Sequence, residues 1–185
     1  MKGEIRARKV VFFVNQPNPE YYMQEAFKEA HAAELMGEVP IGAVIVHDGQ
    51  IIGRGHNMRE RFQDVTYHAE MLAIMEANQA LKSWRLEDCE LYVTLEPCLM
   101  CSGAIVNARI KTVYYGADDP KAGATRSLYR LLEDDRLNHQ VTVHPHVMEA
   151  QSSQMLKQFF KAIRQRQKAA KKARRAVAKN ELTSN

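Results

Sequence analysis

Residues 90–109 read ELYVTLEPCLMCSGAIVNAR, and the stretch changes character halfway along. Residues 90–95 have the aromatic and β-branched content of a strand. Pro97 cannot extend a hydrogen-bonded ladder, and the small and apolar residues behind it read as a helix. Cys98 and Cys101 fall in the first turn of that helix and, spaced i and i+3, share one of its faces. Unpaired N–H groups and the positive dipole end at such a turn favour thiolates over thiols. A strand running straight into a helix is the repeating unit of an α/β sheet.

The flanking sequence extends the unit. Asn18-Pro19 reads as an N-cap followed by proline at the first helical position, with Tyr22, Ala26, Ala30 and Ala33 at helical spacing and Gly37 as the stop. GAVIVHDGQIIGRG at residues 42–55 is two apolar runs around Asp48-Gly49, a two-residue hairpin signal. A loop over residues 56–67 leads into a helix over 68–81. KTVYYG at 111–116 is a further strand, and VTVHPHV at 141–147 a fifth, which Pro145 confines to an edge or a strand end. A long helix begins near residue 149. Several strands are nearly all apolar, which implies a sheet covered on both faces. The expected fold is therefore α/β: a three-layer α/β/α domain over residues 19–148 around a mixed sheet of about five strands. Residues 1–18 form an arm, and residues 149–185 a basic helix and tail.

The chain has 185 residues, 45% of them hydrophobic and 26% charged, an ordinary soluble balance that needs no staples. Three cysteines make no disulfide framework and fit a reducing compartment. The longest early apolar run, residues 10–14, is too short for a signal peptide or a membrane span, so a cytoplasmic location is expected. The net charge of +4 is unevenly distributed. Ten of the 26 basic residues lie between positions 150 and 180, where no acidic residue occurs. The remainder holds sixteen basic residues against 22 acidic ones, a formal charge of about −6. A segment of one sign is either a solvated helix face or a contact for nucleic acid.

Upstream of the cysteines, His68 opens its own helix directly after a loop. Helix N-termini collect at the carboxyl ends of strands in a doubly covered sheet. His68, Cys98 and Cys101 are then three tetrahedral zinc ligands, and three rather than four leaves a position for water. Cys89 sits at the far end of the strand, roughly 20 Å away, and reads as a buried thiol. Glu70, two positions beyond His68, points to another side of the helix, where a carboxylate can shuttle protons for an activated water. Taken alone, the Cys-x-x-Cys also describes a thioredoxin-like redox pair. The His-x-Glu upstream and the proline before Cys98 turn the reading towards a zinc deaminase.

With those residues in place, the chain resembles the zinc-dependent nucleobase and nucleoside deaminases. EVPIGAVIV, GRGHN, HAEMLAI, the stretch from Trp84 through TLEPCLMC, YGADDPKAGA and LNH are together similar to the bacterial tRNA-specific adenosine deaminase family. The resemblance spans about residues 19–160. It implies a cytidine deaminase-like fold with one zinc per chain, acting on the wobble adenosine of a tRNA anticodon stem-loop to give inosine and ammonia. It also implies a homodimer with the substrate site near the interface. Glu70 would carry protons to N1 and to the departing amine. Asn57 matches an asparagine that hydrogen-bonds the target base, and Asp119 a loop aspartate beside the substrate nucleotide; without the resemblance both read as turn residues. Asn138 matches more weakly. Arg126 and His146 stand where the family usually has glycine. A deaminase of a free base or nucleoside such as cytosine, cytidine or guanine carries the same zinc signature, and a zinc-stabilised RNA-binding module is the non-enzymatic alternative.

Overall fold

In the computed structural model, residues 18–183 are described; apart from Asn18, the expected arm lies outside them. Helix α1 (Pro19–Leu35) starts where its cap signal says. Asn18 Oδ1 accepts from the Tyr21 amide at 3.0 Å, and Pro19 takes the first helical position. Gly37, at φ +80°, supplies the left-handed residue after its end. Tyr22, Ala26, Ala30 and Ala33 all point into the core.

Strands β1 (Gly42–His47) and β2 (Gln50–His56) form the hairpin. Asp48 and Gly49 have φ +48° and +75°, the pair of positive values that a type I′ turn requires. Strands β3 (Glu90–Leu95), β4 (Thr112–Ala117) and β5 (Thr142–His144) complete a sheet of order β2-β1-β3-β4-β5. β1 is antiparallel to both neighbours, whereas β3, β4 and β5 are mutually parallel. β2 therefore runs with β3 and β4, and β1 alone is reversed. β5 lies at an edge, as Pro145 demands.

Alternation along the strands divides the core. Val44, Val46 and Tyr92 pack with Tyr22, Met23 and Phe27 of α1, joined by Met155 of helix α5 (Glu149–Thr183). Ala43, Ile45, Leu91 and Val93 face the other way, onto helices α3 (Ala69–Leu81) and α4 (Leu99–Ala108). The sheet is covered on both faces. In α5, side chains 164–172 are all exposed, so the charged half of the helix leaves the body. No helix among the described residues is long and apolar enough to cross a membrane.

The stretch 56–67, expected as a loop, contains a one-turn helix, α2 (Arg59–Phe62). Its N-cap position holds Met58, which offers no side-chain cap. The cap comes instead from Glu38, whose Oε1 accepts from the Arg61 amide at 2.6 Å. The capping residue is 23 positions away, so no local signal announced it.

α3 lies unusually close to β2 because two strand positions lack a Cβ. A methyl group at Gly55 would sit 2.1 Å from the Ala69 carbonyl oxygen, and one at Gly53 2.3 Å from that of Ala73. Gly55→Ala must push the first turn of α3 off the sheet, and overpacking of this kind costs about 1–3 kcal/mol. Thermal melts are expected to show a drop of several degrees; an unchanged melting temperature would mean that α3 is free to shift.

Candidate metal centre and pocket

Because β2, β3 and β4 point the same way, their carboxyl ends share one edge of the sheet. Asn57, Glu96 and Asp118 are the first residues past those three ends, and all line one cavity of about 480 Å³. Helices α3 and α4 begin at the same edge. His68 is the N-cap residue of α3 and Cys98 that of α4, each in extended backbone conformation, while Cys101 lies in the first turn of α4.

These helix starts bring three soft donors together. His68 Nδ1 is 3.7 Å from Cys98 Sγ and 3.5 Å from Cys101 Sγ. All three ligand atoms lie within 4.8 Å of one another. Tetrahedral zinc at its usual bond lengths separates such ligand pairs by about 3.5–3.8 Å, so the cluster has the dimensions of a metal site. Cys98 is pushed down to about 4, first by a hydrogen bond from the Cys101 thiol, with His68 adding against the cost of burial. Cys101 moves up, because its thiol donates to Cys98 and it is buried. His68 is raised, chiefly by its hydrogen bond to Cys98. Cys89 is fully buried and outside the cluster, and burial lifts its thiol to about 11.

Glu70 lines the same cavity, only 4% exposed. Burial pushes its carboxyl up to about 7, the range in which a group both takes and gives protons near neutrality. Asn57 is buried and not in a turn; its amide donates to the Ile41 carbonyl and its side chain to Glu38. Asp119 is half-buried and lines the cavity, but its Oδ1 accepts from the Lys121 and Ala122 amides at 3.0 and 3.2 Å. It combines wall and turn roles. Asn138 is exposed and outside the lining.

Two acidic residues escaped the reading of the sequence. Glu38 stands behind Asn57. Glu96 accepts from the amides of Asp119, Thr125, Arg126 and Ser127 at 2.7–3.1 Å and from the Ser127 hydroxyl. One carboxylate thus staples the segment after β4 onto the end of β3. The only sequence signal was an acidic residue closing an apolar strand. Arg126 contributes a backbone amide that any residue offers. His146 holds φ +68°, a conformation that suits the glycine usual there, and its ring meets Asp118 at 3.1 Å. Neither lines the cavity. Leu156 and Phe160 of α5 do.

Residues 17–164 match the family model described as MafB19-like deaminase. A tRNA-specific adenosine deaminase of Bacillus subtilis is 54% identical over 153 residues, 83% of this chain and 95% of its own length. A solved structure from a study of A-to-I editing by tRNA:A34 deaminases at the wobble position superposes with a TM-score of 0.71 at 45% identity, covering 74% of this chain and 99% of the other. A guanine deaminase structure from Bacillus subtilis shares 44% identity with a TM-score of 0.53, over 55% of this chain and 66% of its own.

Elemental analysis of the purified protein tests the ligand set. Cys98→Ala and Cys101→Ala are expected to lose the bound metal and some fold stability, and Cys89→Ala to retain it in full. Metal intact in Cys101→Ala, or lost in Cys89→Ala, contradicts the assignment.

Proposed function

The chain belongs to the tRNA-specific adenosine deaminases within the MafB19-like deaminase family, and from that membership we propose that it hydrolyses the wobble adenosine of a tRNA anticodon to inosine and ammonia. His68, Cys98 and Cys101 would hold one zinc ion. The observation that carries the reading is a three-donor cluster opening onto a cavity beside the buried carboxyl of Glu70. Three ligands rather than four mark a catalytic site. Bound there, zinc supplies the Lewis acidity that brings the pKa of water from 15.7 to about 7.

The protein's own groups do the rest. Glu70 takes a proton from the attacking water and delivers it to N1 of the adenine. With the water oxygen bonded to C6, the same carboxylate takes the C6 hydroxyl proton and passes it to the exocyclic nitrogen, the C6–N6 bond breaks, ammonia leaves and C6 becomes a carbonyl. A carboxyl raised towards neutrality suits both directions of transfer. Asn57 offers its carboxamide to the base, and Asp119 with its turn forms the wall beside the nucleotide. The apolar lining from Val39, Ile41, Leu95 and Leu156 keeps bulk water from the ring. Single-stranded loops are natural substrates for such a pocket, because their bases unstack at little cost.

α5 supports RNA over a free base. Leu156 and Phe160 line the cavity, and the exposed, acid-free helix that continues from them carries Lys161, Arg164, Arg166 and Lys168 away from the site. A free nucleoside has no use for that surface, although the likeness to a guanine deaminase keeps a free-base substrate as the second reading. A homodimer and a cytoplasmic site of action belong to the same proposal. Exposed Phe62, Val65 and Leu99, on the segments entering the two site helices, are the apolar residues such a dimer would cover.

Ammonia release from an anticodon stem-loop, set against free adenosine, cytidine and guanine, tests the substrate class; preference for a free base overturns it. Glu70→Gln is expected to keep zinc and RNA binding while turnover falls by about 10² to 10⁴. Activity within a few-fold of wild type would reduce Glu70 to a helix-start residue. Deleting residues 168–185 removes six basic residues and Glu181. Zinc content and melting temperature are expected to hold, while tRNA affinity falls and its salt slope shrinks by about 0.7–0.9 per lost phosphate contact. Equal slopes would return the RNA contacts to the body.

A further inference from the structure

Glu38 is 2% exposed, yet among the described residues neither of its oxygens meets a side-chain cation. Oε2 accepts from Asn57 Nδ2 at 3.1 Å and Oε1 from the Arg61 amide at 2.6 Å. A carboxylate buried without a counter-charge is costly, and its hydrogen bonds are what keep it there. It does not line the cavity; Asn57, its partner, does.

The two ends of an asparagine amide have nearly the same shape, so only their partners decide which end points where. An ionised carboxylate accepts and cannot donate. Turning the Asn57 amide over would set Oδ1 against Glu38 Oε2, acceptor against acceptor. The NH₂ end must face Glu38, and the remaining amide hydrogen and Oδ1 are left for the cavity. Among the described residues Oδ1 accepts no hydrogen bond. Base edges are told apart by their order of donors and acceptors, so an amide free to turn over would suit edges of either order.

We propose that Glu38 is a positioning residue that locks the Asn57 carboxamide in one orientation and thereby sets the hydrogen-bond polarity the cavity presents to the target base. The inference rests on the reading of Asn57 as the base contact. Glu38 has a second tie, to the first turn of α2, and the test must separate the two.

A double-mutant cycle does so. Wild type, Glu38→Gln, Asn57→Ala and the double variant are compared for kcat/KM on an adenosine-bearing anticodon stem-loop, with zinc content and melting temperature measured for each. Gln keeps one acceptor and presents an NH₂ in place of the other. Glu38→Gln is expected to keep zinc and lose about tenfold in kcat/KM, the equivalent of one well-placed hydrogen bond. Once Asn57 is alanine, the Glu38 substitution should cost nothing further. Losses that multiply mean that Glu38 acts through α2, and overturn the proposal; so does a Glu38→Gln enzyme within twofold of wild type. A silent Asn57→Ala overturns it while leaving the deaminase reading standing. A wild type that releases no ammonia from the stem-loop overturns both. Should Glu38→Gln fail to fold, nuclear magnetic resonance of ¹⁵N-labelled wild type decides. One Asn57 Nδ2 hydrogen should lie downfield of an ordinary asparagine side chain because it bonds the carboxylate; both hydrogens at ordinary positions overturn the lock.

Discussion

Two helix N-termini have to meet within a few ångströms, and most of the architecture follows from that requirement. The start of α3 supplies His68 and Glu70; the start of α4 supplies Cys98 and Cys101. Each helix is delivered by the strand before it, β2 and β3, and the two starts can meet only if those strands run the same way. β1, reversed between them, makes this possible with a two-residue turn. Gly53 and Gly55 then let α3 lie against the sheet at backbone contact. The helix ends contribute chemistry as well as position, because unpaired amides and the positive dipole end favour thiolate at such a turn, and Cys98, the N-cap of α4, is the one shifted that way.

The regular elements were legible because their signals are local. A cap and a proline fixed the start of α1, an Asp-Gly pair fixed the hairpin, and Pro97 divided β3 from α4. His68, Glu70, Cys98 and Cys101 could be picked out as candidates because they sit in two short motifs at helix starts, and the fold brings the histidine and both cysteines within 4.8 Å of one another. Glu38 and Glu96 could not. Their partners are amides and a carboxamide 19 to 31 positions away, and an acidic residue in sequence looks like surface until the fold buries it. α2 was missed for the same reason, since its cap is Glu38. The Asn57 and Asp119 readings fared differently. Asn57 has left the turn role behind, whereas Asp119 keeps it with its own Oδ1 while also walling the cavity.

Charge is divided in the molecule by burial as much as by sequence. Around the cavity, three buried carboxyl groups face three environments. Glu70, desolvated, rises towards neutrality. Glu96 is surrounded by donors, and Glu38 holds two. Their different surroundings suit residues of one chemical type to different tasks: Glu96 staples a loop, while proton carriage is proposed for Glu70 and orientation of Asn57 for Glu38. The acid-free run of basic charge, by contrast, belongs to α5, while Arg59 and Lys121 bring positive charge to the cavity wall itself.

The Glu96 staple also restricts how this sequence can drift. The space its carboxylate occupies exists only because residue 123 is glycine; a Cβ there would lie 2.2 Å from Glu96 Oε2. Any side chain at 123 evicts the carboxylate, and any loss of the carboxylate strands the amides of Asp119, Thr125, Arg126 and Ser127. The two positions, 27 residues apart, are therefore physically coupled. Neither can change first without passing through a chain whose pocket wall has come loose.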